Sequence, residues 1–373
     1  MPPIDRRAWM LLDVGTLSTV AAEFAAASDA NRVLSPEVAE QLVKSGFARY
    51  FVPAANGGTE GSFSELVRAL YETSQACASA AWCGLIYATS GRMAAFLPEG
   101  GRAAVWRTGA DRPIAAALAP AGTAVPARGG WRLSGEWGFL SAVDHADWVL
   151  LCVPDPSSGA ADPWFMALPR ADFTVRDTWF TAGMRGTGSN TATVREAFVP
   201  ADRAYRRTEL ATGSGEAPAA ACHRVPLLSV AGLPFAAVVA GIARGALDEW
   251  TAWTGTRPAR ESDTTRLLFA RAAAETDAAW LLVERAARVA DDPELARGHA
   301  TRNARDTSHA AQLARAVVSR LFESAGSAAQ AETNRLQRFW RDAHAAASHA
   351  AVRFEHHGIA YARGVWDGTA ADR

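Results

Sequence analysis

The sequence predicts an α+β protein, mostly α, built from three consecutive parts. Helical periodicity fills residues 1–112, and short β-like runs punctuated by Gly, Pro, Asp and Ser fill 113–212. Helical periodicity then returns across 213–373. No helix of crossover length falls between the β-like runs, which predicts an antiparallel β domain rather than βαβ units. The sequence contains no internal repeat.

In the first part, Ser35-Pro36-Glu37 reads as an N-cap followed by Pro at the first helical position. Val38, Leu42 and Val43 give that helix its buried stripe. Phe63 to Cys83 forms a longer amphipathic helix, with Leu66, Leu70 and Tyr71 at matching spacing. In the second part, Trp131–Leu133, Trp148–Val153, Trp164–Leu168 and Thr191–Val199 read as strands, rich in β-branched and aromatic residues. A loop with Gly213, Ser214, Gly215 and Pro218 leads into the last part. There Val225 to Ala243 is uncharged and about long enough to cross a bilayer. Pro226 and Pro234 interrupt it, so a core helix starting near Pro234 is the better reading. The Ala290 to Leu295 stretch reads as a turn between long helices, and helical character persists to about residue 363.

A chain of 373 residues buries a large core, and a net charge of −1 without basic blocks points to neither nucleic acid nor an anionic membrane as a partner. Lys44 is the sole lysine. Cys77, Cys83, Cys152 and Cys222 lack CxxC spacing and read as buried thiols of a reducing cytoplasm. Arg6 and Arg7 precede an apolar stretch, but Asp13 and Glu23 break it, which argues against a signal peptide.

The segment Asn334-Arg-Leu-Gln-Arg-Phe-Trp-Arg-Asp-Ala-His344, with His349 beyond it, carries the most chemistry. Asp342, Ala345, Ala346 and His349 recur at helical spacing, placing an imidazole and a carboxylate on one face. Such a face suits an active-site wall; solvated polar positions on an amphipathic helix are the plainer alternative. Gly183-Met-Arg-Gly-Thr-Gly188 has the glycines of a dinucleotide loop but precedes a strand, not a helix, so it reads as a turn.

That turn, followed by Phe198-Val199-Pro200, resembles the β domain of the acyl-CoA dehydrogenase superfamily. Ala119-Pro120 and Gly122, ahead of Ser134-Gly135-Glu-Trp137, resemble the flavin-facing strands of the same domain. Phe51-Val52-Pro53 before Gly57-Gly58 resembles the loop that ends the superfamily's early helices. The resemblance covers nearly the whole chain in order. It implies the acyl-CoA dehydrogenase fold: an N-terminal helical domain, a central antiparallel β domain and a C-terminal four-helix bundle.

Acyl-CoA dehydrogenases carry a glutamate base in a Tyr-Glu-Gly-Thr stretch soon after the late Arg-Asp. Here Arg341-Asp342 is followed by His344, Ser348 and His349, and no such stretch appears. Leu336-Gln-Arg-Phe-Trp-Arg-Asp followed by His349, and Trp137-Gly-Phe139-Leu-Ser141 followed by Asp144-His145-Ala-Asp-Trp148, are instead similar to the two-component, group D flavin monooxygenases. These include 4-hydroxyphenylacetate and steroid-phenol hydroxylases and the aromatic-polyketide hydroxylases of actinomycetes.

This resemblance implies reduced FMN or FAD, supplied by a separate NAD(P)H-dependent flavin reductase, and O2 activated as a C4a-hydroperoxyflavin that must stay dry. It implies a homotetramer in the cytoplasm and a phenolic or polycyclic aromatic substrate of specialised metabolism. His349 takes the place of an acid–base residue, and Ser141 that of a hydroxyl near flavin N5. Leu118, Trp137 and Phe139 fall on flavin-facing positions. Arg266 and Gly326 match positions that meet a neighbouring subunit's flavin phosphates. Trp82 and Tyr87 fall beside the substrate, where several relatives carry a histidine after the tryptophan and this chain has none. Each has a plainer alternative: Ser141 a turn serine, Trp82 a core aromatic, Arg266 a solvated helix face, Gly326 a helix break. His344 and His145 fall outside the site. N- or S-oxygenation, a dehydrogenase-like desaturase and a non-catalytic subunit remain as rival readings.

Overall fold

A computed structural model describes residues 12–156, 162–214 and 220–368. Arg6, Arg7 and the Gly215–Pro218 portion of the loop lie outside the described residues.

Helix α1 (Val14–Asn31) opens the chain, with Asp13 accepting from the Thr16 amide as its cap. Helix α2 (Pro36–Lys44) follows, with Pro36 in its first turn as expected. Val38 and Leu42 are fully buried. The single long helix expected from Phe63 is in fact two, α3 (Phe63–Ala76) and α4 (Ala78–Ala94). Cys77 between them is extended at φ −152°, ψ 109°, so the ladder stops at one residue and the axis turns. The start of α3 is held by the Ser62 hydroxyl on the Glu65 amide and by the Asp291 carboxylate on the Phe63 amide at 2.6 Å. A short helix, α5 (Glu99–Val105), closes this part.

The central part holds eight strands: β1 (Ile114–Ala117), β2 (Thr123–Ala127), β3 (Gly130–Leu140), β4 (Trp148–Val153), β5 (Trp164–Pro169), β6 (Thr174–Arg176), β7 (Asn190–Pro200) and β8 (Ala204–Arg206). They form two four-stranded sheets, ordered β1-β4-β5-β8 and β2-β3-β7-β6. The expected antiparallel pairing holds except for β1 and β4, which run parallel because β2 and β3 cross to the other sheet between them. The long β3–β7 ladder shifts register between Trp137 and Leu140. That irregularity throws Phe139 into the left-handed region at φ 56° and ends the strand just before Ser141.

Short helices α6 (Arg207–Thr212), α7 (Ala221–Arg224) and α8 (Leu227–Val230) lead to α9 (Leu233–Gly255). The long apolar stretch is a core element, 72% buried within its most apolar window. Around α9 pack α10 (Asp263–Ala290), α12 (Ala300–Ser324) and α13 (Arg335–Ala347), together with α3. Gly241 lets α9 and α3 touch: a Cβ there would fall 2.0 Å from Ser74 Oγ and 2.3 Å from the Tyr71 carbonyl oxygen. The expected turn near residue 290 contains a helix of its own, α11 (Pro293–Gly298), capped by Asp292. The last helix is α14 (Phe354–Trp366).

Candidate active site

Helix α4 is buried almost all round, so its polar-tipped aromatic, Trp82, lies inside the protein at 6% exposure. A buried indole N–H requires an acceptor. It donates to Ser141 Oγ at 3.0 Å. Ser141 Oγ is 2.7 Å from Ser189 Oγ, and Ser189 Oγ is 2.7 Å from Thr187 Oγ1. Thr187 donates to the Met184 carbonyl at 2.8 Å. Met184 in turn gives its amide to Asp342 Oδ1 at 2.6 Å. One line of hydrogen bonds therefore joins α4, the end of β3, the 183–189 loop and α13.

On the other side of Trp82 lie two rings from distant elements. Phe235, in the first turn of α9, has its ring centroid 4.8 Å from Trp82 and stacks on His349 at 4.1 Å and 20°. His349 meets Trp82 edge-on at 5.6 Å. The structure thus brings Ser141, Trp82 and His349 together, in an arrangement of one imidazole, two aromatic faces and a row of hydroxyls.

One expectation about His349 is corrected. Helix α13 ends at Ala347, so His349 does not share a helical face with Asp342. It sits in extended backbone at φ −61°, ψ 137° and caps the next turn, its Nδ1 accepting from the Ala351 amide at 3.3 Å. With Nδ1 occupied as an acceptor, the proton of the neutral ring lies on Nε2. His349 is an exposed residue whose ring is partly covered by Phe235 and Trp82, and desolvation on that covered side lowers its pKa to about 4. His349 is therefore a neutral N–H donor at working pH, not a cation.

Asp342 is buried at 6% exposure, and desolvation raises its pKa to about 6 against the pull of the Met184 amide. Its neighbour Arg341 grips Asp29 through two bonds of 3.1 and 2.8 Å and the Ala182 carbonyl at 2.6 Å. A raised folded pKa means the native state holds the extra proton, so stability falls as pH rises from 3.8 towards 6 and stays low above. Asp342→Asn keeps an acceptor for Met184 and removes the titration. Relative to wild type, its unfolding free energy should improve by up to roughly 3 kcal/mol between pH 4 and pH 8. Urea unfolding at both pH values measures this, and a pH-independent difference would remove the carboxylate's titration as the cause.

The other expected residues separate into groups. Phe139 is 82% exposed and Leu118 41% exposed, apolar side chains left uncovered beside Ser141 and at the end of β1. Trp137, expected on a flavin-facing position, has a ring 1% exposed that donates to the Cys152 carbonyl at 2.8 Å, so it packs in the sheet core. Tyr87 is 1% exposed with no partner for its hydroxyl, and it joins none of the contacts above. Arg266 is exposed, paired with Glu261 and Asp263, and lines a cavity of about 230 Å³ with Trp250 and Phe269. Trp250 also donates to Ser324 Oγ at 2.9 Å, two residues before Gly326, whose φ of 62° breaks the chain after α12. Arg266 and Gly326 therefore gather at one end of the bundle. His344 bonds Ser319 and His145 bonds the Leu34 carbonyl, both outside the cluster as expected.

Three residues of the cluster were not anticipated. Thr187 lies in, and Ser189 just after, a motif that reads as a turn resembling a family's β domain, although two hydroxyls flanking a left-handed glycine are a signal in themselves. Phe235 gave no signal, being one apolar residue in an apolar run.

An exposed apolar Phe139 two residues before Ser141 and its hydroxyl row fits a flat ring system with polar edge atoms, which is the chemistry of an isoalloxazine. The comparisons agree. The family of the acyl-CoA dehydrogenase C-terminal domain matches residues 233–354. The oxygenase subunit HsaA of a flavin-dependent monooxygenase from Rhodococcus jostii (strain RHA1) is 30% identical over 341 residues, 87% of this chain and 89% of that protein. The oxygenase component of an FADH2-dependent resorcinol hydroxylase from Rhizobium sp. (strain MTP-10005) is 30% identical over 357 residues, 88% of this chain and 86% of that protein. The structure of XiaF from Streptomyces sp. in complex with FADH2 and glycerol superposes with a TM-score of 0.89 at 28% identity, covering 97% of this chain and 96% of that one. Sequence, fold and site converge, and the chain belongs to the oxygenase components of flavin-dependent monooxygenases built on the acyl-CoA dehydrogenase fold.

Proposed function

We propose that this chain hydroxylates a phenolic or polycyclic aromatic compound beside the cluster formed by His349, Trp82, Phe235 and Ser141. The convergence of those four side chains from three parts of the chain is the observation that carries the reading. When bound, reduced flavin supplies the two electrons with which O2 yields one oxygen atom to the substrate and one to water. Leu118 and Phe139 would cover the ring faces, and Ser141 would meet its polar edge. FAD is the better fit of the two flavins, since the resorcinol hydroxylase is FADH2-dependent and XiaF is described with FADH2.

His349 would offer Nε2–H to the substrate's hydroxyl or to the oxygen being transferred, its ring held by Phe235 and its proton fixed by the Ala351 amide. Trp82 and Phe235 would line the aromatic substrate and exclude water. The carboxylate closest to this group in the hydrogen-bond line, Asp342, is occupied by the Met184 amide, which disfavours carbon-acid proton abstraction and hence the desaturase reading. A separate reductase and a homotetramer, in which Arg266 and Gly326 would meet a neighbour's flavin phosphates, accompany this reading, as does a cytoplasmic location.

The test mixes the protein with a flavin reductase, NADH, FAD and ¹⁸O2 and offers a panel of phenols of one to four rings. Incorporation of one ¹⁸O into a ring position is the expected result. Oxygen on nitrogen or sulfur of amine and thioether controls, with none on the phenols, would replace this reading with the N- or S-oxygenase. Anaerobic turnover with an artificial electron acceptor would replace it with the dehydrogenase.

A further inference from the structure

The hydroxyl row has only one arrangement of protons. Three close oxygen–oxygen contacts lie in sequence: Met184 carbonyl to Thr187 at 2.8 Å, Thr187 to Ser189 at 2.7 Å, and Ser189 to Ser141 at 2.7 Å. Oxygens this close need a proton between them. The carbonyl brings none, and each hydroxyl brings one. The Thr187 proton must therefore point to Met184, the Ser189 proton to Thr187, and the Ser141 proton to Ser189. At the far end Trp82 Nε1 is a donor only and points its hydrogen at Ser141 Oγ, which agrees with this direction. Ser141 is left with an unused lone pair and no free proton.

We propose that Thr187 and Ser189 are positioning residues that hold Ser141 as an obligate hydrogen-bond acceptor, so that the site favours the reduced flavin over the oxidised one. The inference rests on the reading that the flavin's polar edge meets Ser141. Reduced isoalloxazine carries a hydrogen on N5 and can donate it to the open lone pair. Oxidised isoalloxazine has a lone pair on N5 and would face another. The preference is thus set by a backbone carbonyl three links from Ser141. Met184 is held for the task on both sides, by Asp342 on its amide and by the Trp179 indole on its carbonyl at 2.9 Å. A product flavin returning to its oxidised form would lose its bond to Ser141 and be released for re-reduction elsewhere.

The test is the ratio of dissociation constants for oxidised and reduced FAD, the latter measured anaerobically, both by tryptophan-fluorescence titration of the whole protein. In wild type the reduced form should bind roughly two- to tenfold more tightly, the worth of one neutral hydrogen bond. A ratio near one would overturn the proposal without recourse to any variant. Ser189→Ala removes the inward acceptor for Ser141's proton. Thr187→Val leaves Ser189's proton no acceptor but Ser141. Either change frees Ser141 to donate outward, so both should bring the ratio close to one, chiefly by tightening the oxidised form, while Thr187→Ser should preserve it. If both variants weaken the two redox states by the same factor, the hydroxyls merely support the fold and the proposal fails. Should Ser189→Ala not fold, Thr187→Val decides. Wild type that binds FAD in neither state defeats the flavin reading itself, a result distinct from a flavin bound without preference.

Discussion

His349→Ala is expected to cut the product formed per reduced flavin by roughly a hundredfold, the usual effect of removing one well-placed hydrogen-bond donor from a water-poor site. Reduced flavin and O2 would still be consumed, and the missing product would reappear as hydrogen peroxide. The fold should hardly change, because His349 lies beyond α13 and its removal breaks one backbone bond, to Ala351, and one ring stack, on Phe235. The pH dependence separates this role from that of a cationic acid. With its folded pKa lowered to about 4, His349 is neutral throughout the working range, so wild-type coupling should show no step at the ordinary histidine value of 6.5. The associated stability term runs the same way: the unfolded chain binds the proton more readily, so this contribution is complete above pH 6.5 and is lost as pH falls towards 4. His349→Asn, which retains a side-chain N–H, should recover part of the coupling. Coupling unchanged in the alanine variant would remove His349 from the chemistry.

The sequence displayed what repeats along it and hid what depends on neighbours in space. Trp148–Val153 and Trp164–Pro169 were legible as strands because β-branched and aromatic residues run between turn residues. Strand β1 is four residues, three of them alanine, and β8 is three residues long, too short for any period to show. The break at Cys77 carries neither Gly nor Pro, so no residue type in the sequence marks it. In the same way the spacing Asp342, Ala345, Ala346, His349 runs on past Ala347, where α13 ends, and this made His349 look like a partner of Asp342. At the site, Ser141, Trp82 and His349 were legible singly, as residue types in motifs that resemble a family. Their order was not. That Trp82 donates to Ser141, and that Ser141's own proton turns inward, follow from hydroxyls 46 and 48 residues away in sequence. Trp137 is a different case: a resemblance assigned it to the cofactor, and its ring lies in the sheet core with Leu133 and Leu140.

Gly183→Ala should damage stability and the site together, for reasons that lie in α13 and not in the loop itself. A Cβ at Gly183 would stand 2.0 Å from the Arg341 carbonyl oxygen, 2.4 Å from its carbon and 2.9 Å from the Asp342 nitrogen. These are helix backbone atoms and cannot swing aside as a side-chain tip would, so loop and helix must separate. The contacts that hold them together run through the same few residues: Arg341 on Ala182, Asp342 on the Met184 amide, and the Trp179 indole on the Met184 carbonyl. Moving Met184 withdraws the carbonyl that orients Thr187, Ser189 and Ser141, so one methyl group disturbs stability and site polarity together. Overpacking of this kind costs about 1–3 kcal/mol, and an unpaired buried Met184 amide adds about 1–3 kcal/mol more. The expected result is a fall in urea-unfolding free energy of roughly 2–6 kcal/mol, with loss of the preference for reduced over oxidised FAD in whatever protein remains folded. Asp342→Ala supplies the control, since it removes the acceptor while leaving Gly183 in place against the helix. It should reproduce the loss of preference at a smaller cost in stability. A Gly183→Ala protein with wild-type stability would mean that α13 and the 183–189 loop are not in the close contact described here.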